Sequence, residues 1–318
     1  MPRLPRRPSV WLVGDSGMTR SSVTVVVPAS SANLGPGFDS LGLALALYDE
    51  VTVAVTDAPG LSVEVTGEGA DVLPRDGSHL VARTLRDAFA RLGSAPAGLR
   101  VCCANQIPQG RGLGSSAAAI VAAVVAAAAL TGDGRTDRAE LLAVAAEIEG
   151  HPDNVAACLL GGFTIAWTEA GQAHGVRLEP VPTIEALVFV PPEGLSTETA
   201  RGLLPATVPH ADASHAAGRA ALAVAALTKQ PDLLLAATED RLQQPYRAPA
   251  VPASAALVGR LRELGVAAFV SGAGPSVLAL VTDVRPDLPA LADPGWSVSR
   301  LPLDLAGARV VEAVAGKN

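Results

Sequence analysis

Aromatic side chains are scarce in this 318-residue chain, where five Phe, three Trp and two Tyr make up 3% of the residues. A surface that stacks successive nucleobases needs more rings than that. Lysine occurs only at Lys229 and Lys317, and 24 Lys+Arg are outnumbered by 31 Asp+Glu for a formal charge of −7, which leaves no electrostatic footprint for a nucleic-acid backbone. No nucleic-acid partner is expected. Cysteine is equally sparse. Cys102, Cys103 and Cys158 form neither an even framework nor a C-x-x-C pair, and adjacent residues of a strand face opposite ways, so neither a disulfide nor a cysteine-held metal is expected. Long apolar runs are missing too. The longest, residues 117–130, is dominated by alanine and falls short of the roughly 20 residues that span a bilayer, so it reads as a buried helix and no membrane partner is expected. The apolar run 10–13, after Arg3, Arg6 and Arg7, stops at Gly14 and Asp15, too short for a signal-peptide core, and a reducing cytoplasm is the expected compartment.

What remains is a chain with 49% hydrophobic and 17% charged residues, enough for two packed domains. Residues 1–20, rich in Pro, Arg, Gly and Ser, are expected to be a mobile extension, with Met18 an alternative start. Alternating patterns predict strands over residues 23–27, ended by Pro28, and over 51–55 and 61–65, an antiparallel opening to the fold. Helical spacing covers 79–92, and a short strand over 99–104 runs into Pro108. A helix over 138–149 is stopped by Gly150 and Pro152. Strands are predicted at 163–167, 184–190, 267–270 and 277–281, and helices at 214–227 and 254–264. The pattern is α+β without internal repeats. A boundary near Gly171 divides it into a domain over 21–170 and a second over 171–318, sharing one cleft.

The most informative stretch is Pro108, Gln109, Gly110, Arg111, Gly112, Leu113, Gly114, Ser115, Ser116, Ala117 and Ala118, a glycine-rich loop running straight into a helix. Glycines let the backbone take positive φ and approach phosphate oxygens, while the free N–H groups and positive dipole end of the helix supply the field. Read alone, such a loop is also the turn that caps an alanine-rich helix. A Walker-type loop is excluded, because G-x-x-x-x-G-K-[ST] requires a lysine that is nowhere near.

This loop resembles the phosphate-binding motif of the GHMP kinases, and other stretches resemble further motifs of that family in its homoserine-kinase form. They are residues 28–39 (PASSANLGPGFD), 147–154 (EIEGHPDN), 196–201 (STETAR), 244–247 (QPYR) and 271–276 (SGAGPS), which occur in family order and span almost all of the chain after residue 22. The resemblance implies an α+β, two-domain GHMP kinase fold, with an N-terminal domain of the ribosomal protein S5 domain 2 type and a ferredoxin-like C-terminal domain. It implies ATP and Mg2+ as cofactors and L-homoserine as the small-molecule substrate, phosphorylated on its side-chain hydroxyl in threonine biosynthesis. A homodimer is one option for the assembly.

Residue by residue, the resemblance assigns Asn33 and Asp39 to the amino end of the substrate. Asp39 would be an anionic partner for an ammonium group. Arg201 and Arg247 would hold the carboxylate through arginine's planar fork, with Thr197 adding a hydroxyl. Ser116 and Glu147 match the magnesium pair. Glu149, two residues on, would face another side of the helix. His151, Asp153 and Asn154 border the reacting hydroxyl. Related mevalonate kinases pair an aspartate here with a lysine of the first motif; residues 27–30 hold no lysine, so Asp153 and Asn154 are expected to orient the hydroxyl rather than take its proton. Where the family usually carries Asn-Leu at the purine pocket, this chain has His79-Leu80, a histidine that is either a surface residue at a helix start or an adenine contact. Two rival readings are a GHMP kinase for another small alcohol, such as mevalonate, and a non-catalytic ligand-binding protein that keeps the fold.

Overall fold

The computed structural model describes residues 18–132 and 137–315. In chain order its strands are β1 (Arg20–Ala32), β2 (Leu41–Thr56), β3 (Gly60–Gly67), β4 (Gly98–Asn105), β5 (Phe163–Glu169), β6 (Gln172–Leu178), β7 (Glu185–Val190), β8 (Ala267–Val270), β9 (Val277–Val281), β10 (Ser297–Pro302) and β11 (Arg309–Ala315). Its helices are α1 (Leu80–Arg91), α2 (Ser115–Thr131), α3 (Arg138–Glu149), α4 (Asp153–Leu160), α5 (Thr197–Gly202), α6 (His210–Thr228), the single turns α7 (Leu234–Ala237) and α8 (Gln244–Arg247), and α9 (Pro252–Glu263). One sheet runs β11-β1-β2-β4-β3, with β5 joined to β2 and β6 to β5; the other runs β10-β7-β9-β8.

Strand β1 shapes the first sheet. It pairs antiparallel with β2 along its length, but with β11 only as far as Val26. Beyond Val26 its outer edge is released, and there Ser30 N–H donates to the Leu113 carbonyl of the glycine-rich loop at 3.0 Å. The expected stop at Pro28 does not occur. The strand continues to Ala32 through a register shift between Pro28 and Ala29, because a proline that offers no ladder donor is accommodated at a bulge. Nor does β3 extend an antiparallel meander: it lies parallel to β4 at the edge of the sheet.

The domain boundary also moves. Ala170 and Gly171, both with positive φ (51° and 82°), form the tight turn between β5 and β6, and β11 returns from the far end of the chain to pair with β1. The first sheet therefore holds strands from both sides of residue 171, and the chain enters the second sheet only at β7. A hairpin turn and a linker share the same small, polar residues, so composition could not separate them. Of the extension expected over residues 1–20, residues 1–17 lie outside the described residues. Arg20 already opens β1, and Thr19 N–H donates to the Leu130 carbonyl at the end of α2 (3.0 Å).

Helix α2 is the centre of the larger core. Twelve of its 17 residues are buried, and α1, α3, α4 and β1 surround it. A helix apolar on every side belongs in a core, and alanine lets its neighbours approach closely. The expectation of a buried helix holds. Leu257 and Leu261 of α9 pack on the second sheet against Phe189, Ala268 and Val277.

One buried charge steers the chain toward the cleft. Asp49 on β2 is 4% exposed, and its Oδ1 accepts the N–H groups of Gln106 (2.7 Å) and Ile107 (2.9 Å) where the chain leaves β4 for the glycine-rich loop. Burial pushes this carboxyl up to about 6, outweighing the two bonds. A folded-state value above the unfolded one means that the protonated form adds stability, which is lost as pH rises through about 6. Asp49→Asn keeps the Oδ1 acceptor and cannot ionise. It should gain about 1–3 kcal/mol of stability over the parent near about pH 7.5 and nothing near about pH 4, as read by thermal melts at both values.

Candidate active site

The glycine-rich loop joins β4 to α2 as a series of left-handed turns, with φ of 63°, 73° and 73° at Gly110, Gly112 and Gly114. Gly112 has no room for a side chain, since a Cβ there would lie 2.2 Å from the Ser271 carbonyl oxygen. Gly114 is the N-cap of α2 and supplies no side-chain bond. The first helical bond is Ala118 N–H to Gly114 O at 2.8 Å, so the N–H groups of Ser115, Ser116 and Ala117 have no partner among the described residues. Uncommitted amides at the positive end of a 17-residue helix form an anion site. Pro108 through Ser116 line one cleft. Ala117 and Ala118, expected to touch ATP, are instead fully buried in α2, where only the Ala117 amide belongs to the free first turn.

The carboxylate beside Ser116 is not the expected one. Ser116 Oγ donates to Glu149 Oε1 at 2.6 Å, at the end of α3. Glu147 points elsewhere, held outside the cleft in a two-pronged pair with Arg91 (2.8 and 3.1 Å) and largely exposed. Two residues along a helix turn a side chain by about 200°, so only one of the two can face α2. Gly150, left-handed at φ 91°, ends the helix immediately after Glu149 and turns the chain into His151. Burial is the main influence that raises the Glu149 carboxyl; the Ser116 hydroxyl and His151 oppose it, and the charge of Asp153 adds to it.

Asp153 and Asn154 lie in the first turn of α4 rather than in a loop. Asp153 is buried, and its Oδ1 takes both His151 Nδ1 at 2.7 Å and Asn154 N–H at 2.8 Å. Asn154 Oδ1 accepts from Ser30 Oγ at 2.9 Å, which ties α4 to β1. Burial pulls the His151 pKa down, but the Asp153 hydrogen bond and the charges of Asp153 and Glu149 outweigh it and leave the value raised.

The remaining expected residues also meet at this cleft, in a different pattern of partners. Asn33, left-handed at φ 69°, uses both ends of its amide internally: Nδ2 donates to Gly272 O (3.0 Å) and Oδ1 accepts Asp39 N–H (3.0 Å). It fixes the turn that carries Asp39. Asp39 makes a two-pronged pair with Arg201 at 2.7 and 3.1 Å. Arg247 is 3% exposed, bonded to Ala200 O (3.2 Å), Gly272 O (3.3 Å) and Gln243 Oε1, and no carboxylate of the described residues pairs with it. Burial and the nearby Arg201 push its pKa down. Both guanidinium groups stand over the Phe38 ring, 5.4 and 5.6 Å from its centre. Thr197 opens α5 beside them and lines the cleft.

Further along, the cleft takes in Asp49, His79, Leu80, Cys103 and Asn105. His79 is no surface residue. It is 4% exposed, its Nδ1 is sealed without a partner, and burial lowers its pKa. Sequence reasoning passed over Glu149, Phe38 and Gln243. The spacing Glu-x-Glu-Gly held the signal for the first, but not which of its two carboxylates faces α2.

The profile of the GHMP kinases N terminal domain matches residues 79–162, and that of the GHMP kinases C terminal domain matches 222–288. Over 298 residues the chain is 60% identical to a homoserine kinase of Streptomyces avermitilis, covering 93% of this chain and 97% of that one. The chain belongs to the homoserine kinases. Among solved structures, the homoserine kinase from Cytophaga hutchinsonii superposes with a TM-score of 0.81 at 26% identity over 97% of this chain and all of that one. A putative homoserine kinase from Listeria monocytogenes follows at 0.73 and 30% identity, over 91% and 99%. The two-domain GHMP kinase fold expected from the motifs is thus the fold found.

For a homoserine kinase the exchange of Glu147 for Glu149 has a measurable consequence. Glu147→Gln removes an exposed ion pair and should leave ATP-dependent turnover within about twofold of the parent. Glu149→Gln takes the charge away beside Ser116 and should lower turnover at least about tenfold. Steady-state kinetics of the two variants, run side by side, check the assignment.

Proposed function

We propose that the chain transfers the γ-phosphoryl group of ATP to the side-chain hydroxyl of L-homoserine. The observation that carries the reading is Arg247, a buried cation with no carboxylate partner among the described residues, on the same cleft as the uncapped start of α2. A buried charge without its counter-ion is costly, and a substrate carboxylate supplies one. Asp39 and Arg201 already neutralise each other, so together they offer one anionic and one cationic partner to an incoming zwitterion. The homoserine ammonium faces Asp39, and its carboxylate faces Arg247 and Arg201. Mevalonate brings a carboxylate without an ammonium, and would give Asp39 no cationic partner beyond Arg201.

The triphosphate lies along the glycine-rich loop, its anionic oxygens on the free amides of Ser115, Ser116 and Ala117. The donors at this point suit Mg2+, since the Ser116 hydroxyl and the Glu149 carboxylate are hard oxygens brought to 2.6 Å of each other. Among the described residues no group of three His, Cys, Asp or Glu could hold a metal alone. Ser116 and Glu149 would hold the Mg2+ ion, and bound there it neutralises charge on the β- and γ-phosphates. Phosphoryl transfer passes through a loose transition state, in which positioning and charge neutralisation do most of the work. Asp153 fixes His151 and the start of α4 through one oxygen, and Asn154 presents its amide to the reacting hydroxyl; neither is assigned the proton.

ADP release measured with homoserine, mevalonate and other small alcohols tests the reading, which predicts turnover with homoserine alone. Arg247→Met should raise the homoserine KM strongly, by the equivalent of about 2–5 kcal/mol, while the KM for ATP stays near the parent's. Turnover of mevalonate in preference to homoserine, or an unchanged homoserine KM, contradicts it. A separate expectation concerns Asp153. Its two bonds both fall on Oδ1, which Asp153→Asn retains, so this variant should keep kcat within about tenfold of the parent, whereas loss of a general base costs about 10²–10⁴-fold. Single-turnover kinetics distinguish the two.

A further inference from the structure

Arg111 lies in the middle of the phosphate loop, where a guanidinium reads at first as a phosphate ligand. Its donors go the other way. Nε donates to Pro191 O at 3.0 Å, Nη2 to Pro192 O, and Nη1 to Gln109 O at 3.0 Å. Pro191 and Pro192 follow directly on β7 of the second sheet. They begin the segment that passes through Gly194 and Leu195 to Ser196, the N-cap of α5, the helix that carries Thr197 and Arg201. Leu195 N–H donates back to Gly110 O at 3.0 Å, so the segment is fastened to the loop at both ends. Gly194 fits only because it lacks a side chain: a Cβ there would lie 2.5 Å from Arg111 Nη1 and 3.2 Å from Gly110 O. Its φ is ordinary, so nothing else in the backbone demands glycine at this point.

We propose that Arg111 is a positioning residue for the amino-acid substrate, tying the nucleotide loop to the arm that aims Arg201 at Asp39. The proposal rests on homoserine occupying the pocket of Asp39, Arg201 and Arg247. Three backbone carbonyl oxygens, and no carboxylate among the described residues, engage the guanidinium. Losing it releases the 191–196 segment, and with it the start of α5, while the turns at Gly110, Gly112 and Gly114 are still held by Ser271 Oγ on Gly112 O (2.7 Å) and Ser276 N–H on Arg111 O (3.2 Å). A residue in the phosphate loop therefore governs the affinity for the other substrate.

Steady-state kinetics on Arg111→Ala, Arg111→Lys, Gly194→Ala and the double variant Arg111→Ala/Gly194→Ala decide it, with melting temperatures to establish folding. Arg111→Ala and Gly194→Ala should each raise the homoserine KM about tenfold or more, the scale of losing charge-assisted hydrogen bonds, with the KM for ATP within about twofold. Lysine keeps the charge and a single bond, and should restore part of the loss. Because both changes break one contact, the double variant should be no worse than Arg111→Ala alone. A rise in the ATP KM with homoserine unaffected would make Arg111 a phosphate ligand and overturn the proposal. So would unchanged constants, or effects that add in the double variant. Should the parent fail to phosphorylate homoserine, the substrate assignment falls on the parent's data alone, and the same division between ATP and second-substrate KM is read with the alcohol that it does turn over.

Discussion

The constraint on which the site depends is the first turn of α2, whose amides have no partner among the described residues in a helix otherwise sealed in the core. Orphan N–H groups are tolerable only where solvent or an anion can reach them, and their orientation is as fixed as the helix that carries them. Alanine on every side of α2 lets four neighbouring elements close on it, so the helix cannot rotate away from the cleft. Gly114 completes the arrangement: its left-handed turn leaves no Cβ to collide with Ser30, and no side chain to cap the amides.

The loop before that turn does not stand by itself. Three successive carbonyl oxygens, of Gly110, Arg111 and Gly112, are taken by Leu195 N–H, Ser276 N–H and Ser271 Oγ, all donors that follow β7 in the chain. With its carbonyl side engaged, the loop is held in one orientation over the start of α2. The segment that provides one of these donors leads into α5, and so the part of the fold that holds the loop also sets where Arg201 stands. The two ends of the cleft share a frame.

Charges in the cleft are answered in two ways, by an opposite charge or by neutral groups. Asp39 is answered by Arg201 and Asp153 by His151, while Glu149 takes the Ser116 hydroxyl; among the described residues the buried Arg247 meets only neutral acceptors. Burial raises the Glu149 carboxyl and lowers Arg247, whereas the carboxylate partners of His151 and Arg201 outweigh burial and leave both raised. The buried carboxyl of Asp49 follows the same rule with a structural outcome, since its two backbone bonds set the path into the loop at a cost in stability above about pH 6.

Much of this was legible in the residue order. Local pattern placed α3 over residues 138–149 and the strands at 267–270 and 277–281, because apolar periodicity and flanking Gly or Pro act over a few residues. The loop read as an anion site for the same reason: glycine's freedom and a helix start are local properties. Pairing across the chain was not legible. That β11 closes on β1, that residue 171 turns a hairpin, and that Glu149 rather than Glu147 meets Ser116 all depend on which surfaces pack together. The sequence by itself determined the elements, the glycine-rich loop and the set of charged residues available to the cleft. Only the tertiary structure decided their partners, because a hydrogen bond or an ion pair is settled by distances between elements far apart in the chain, and those distances exist only once the core has closed around α2.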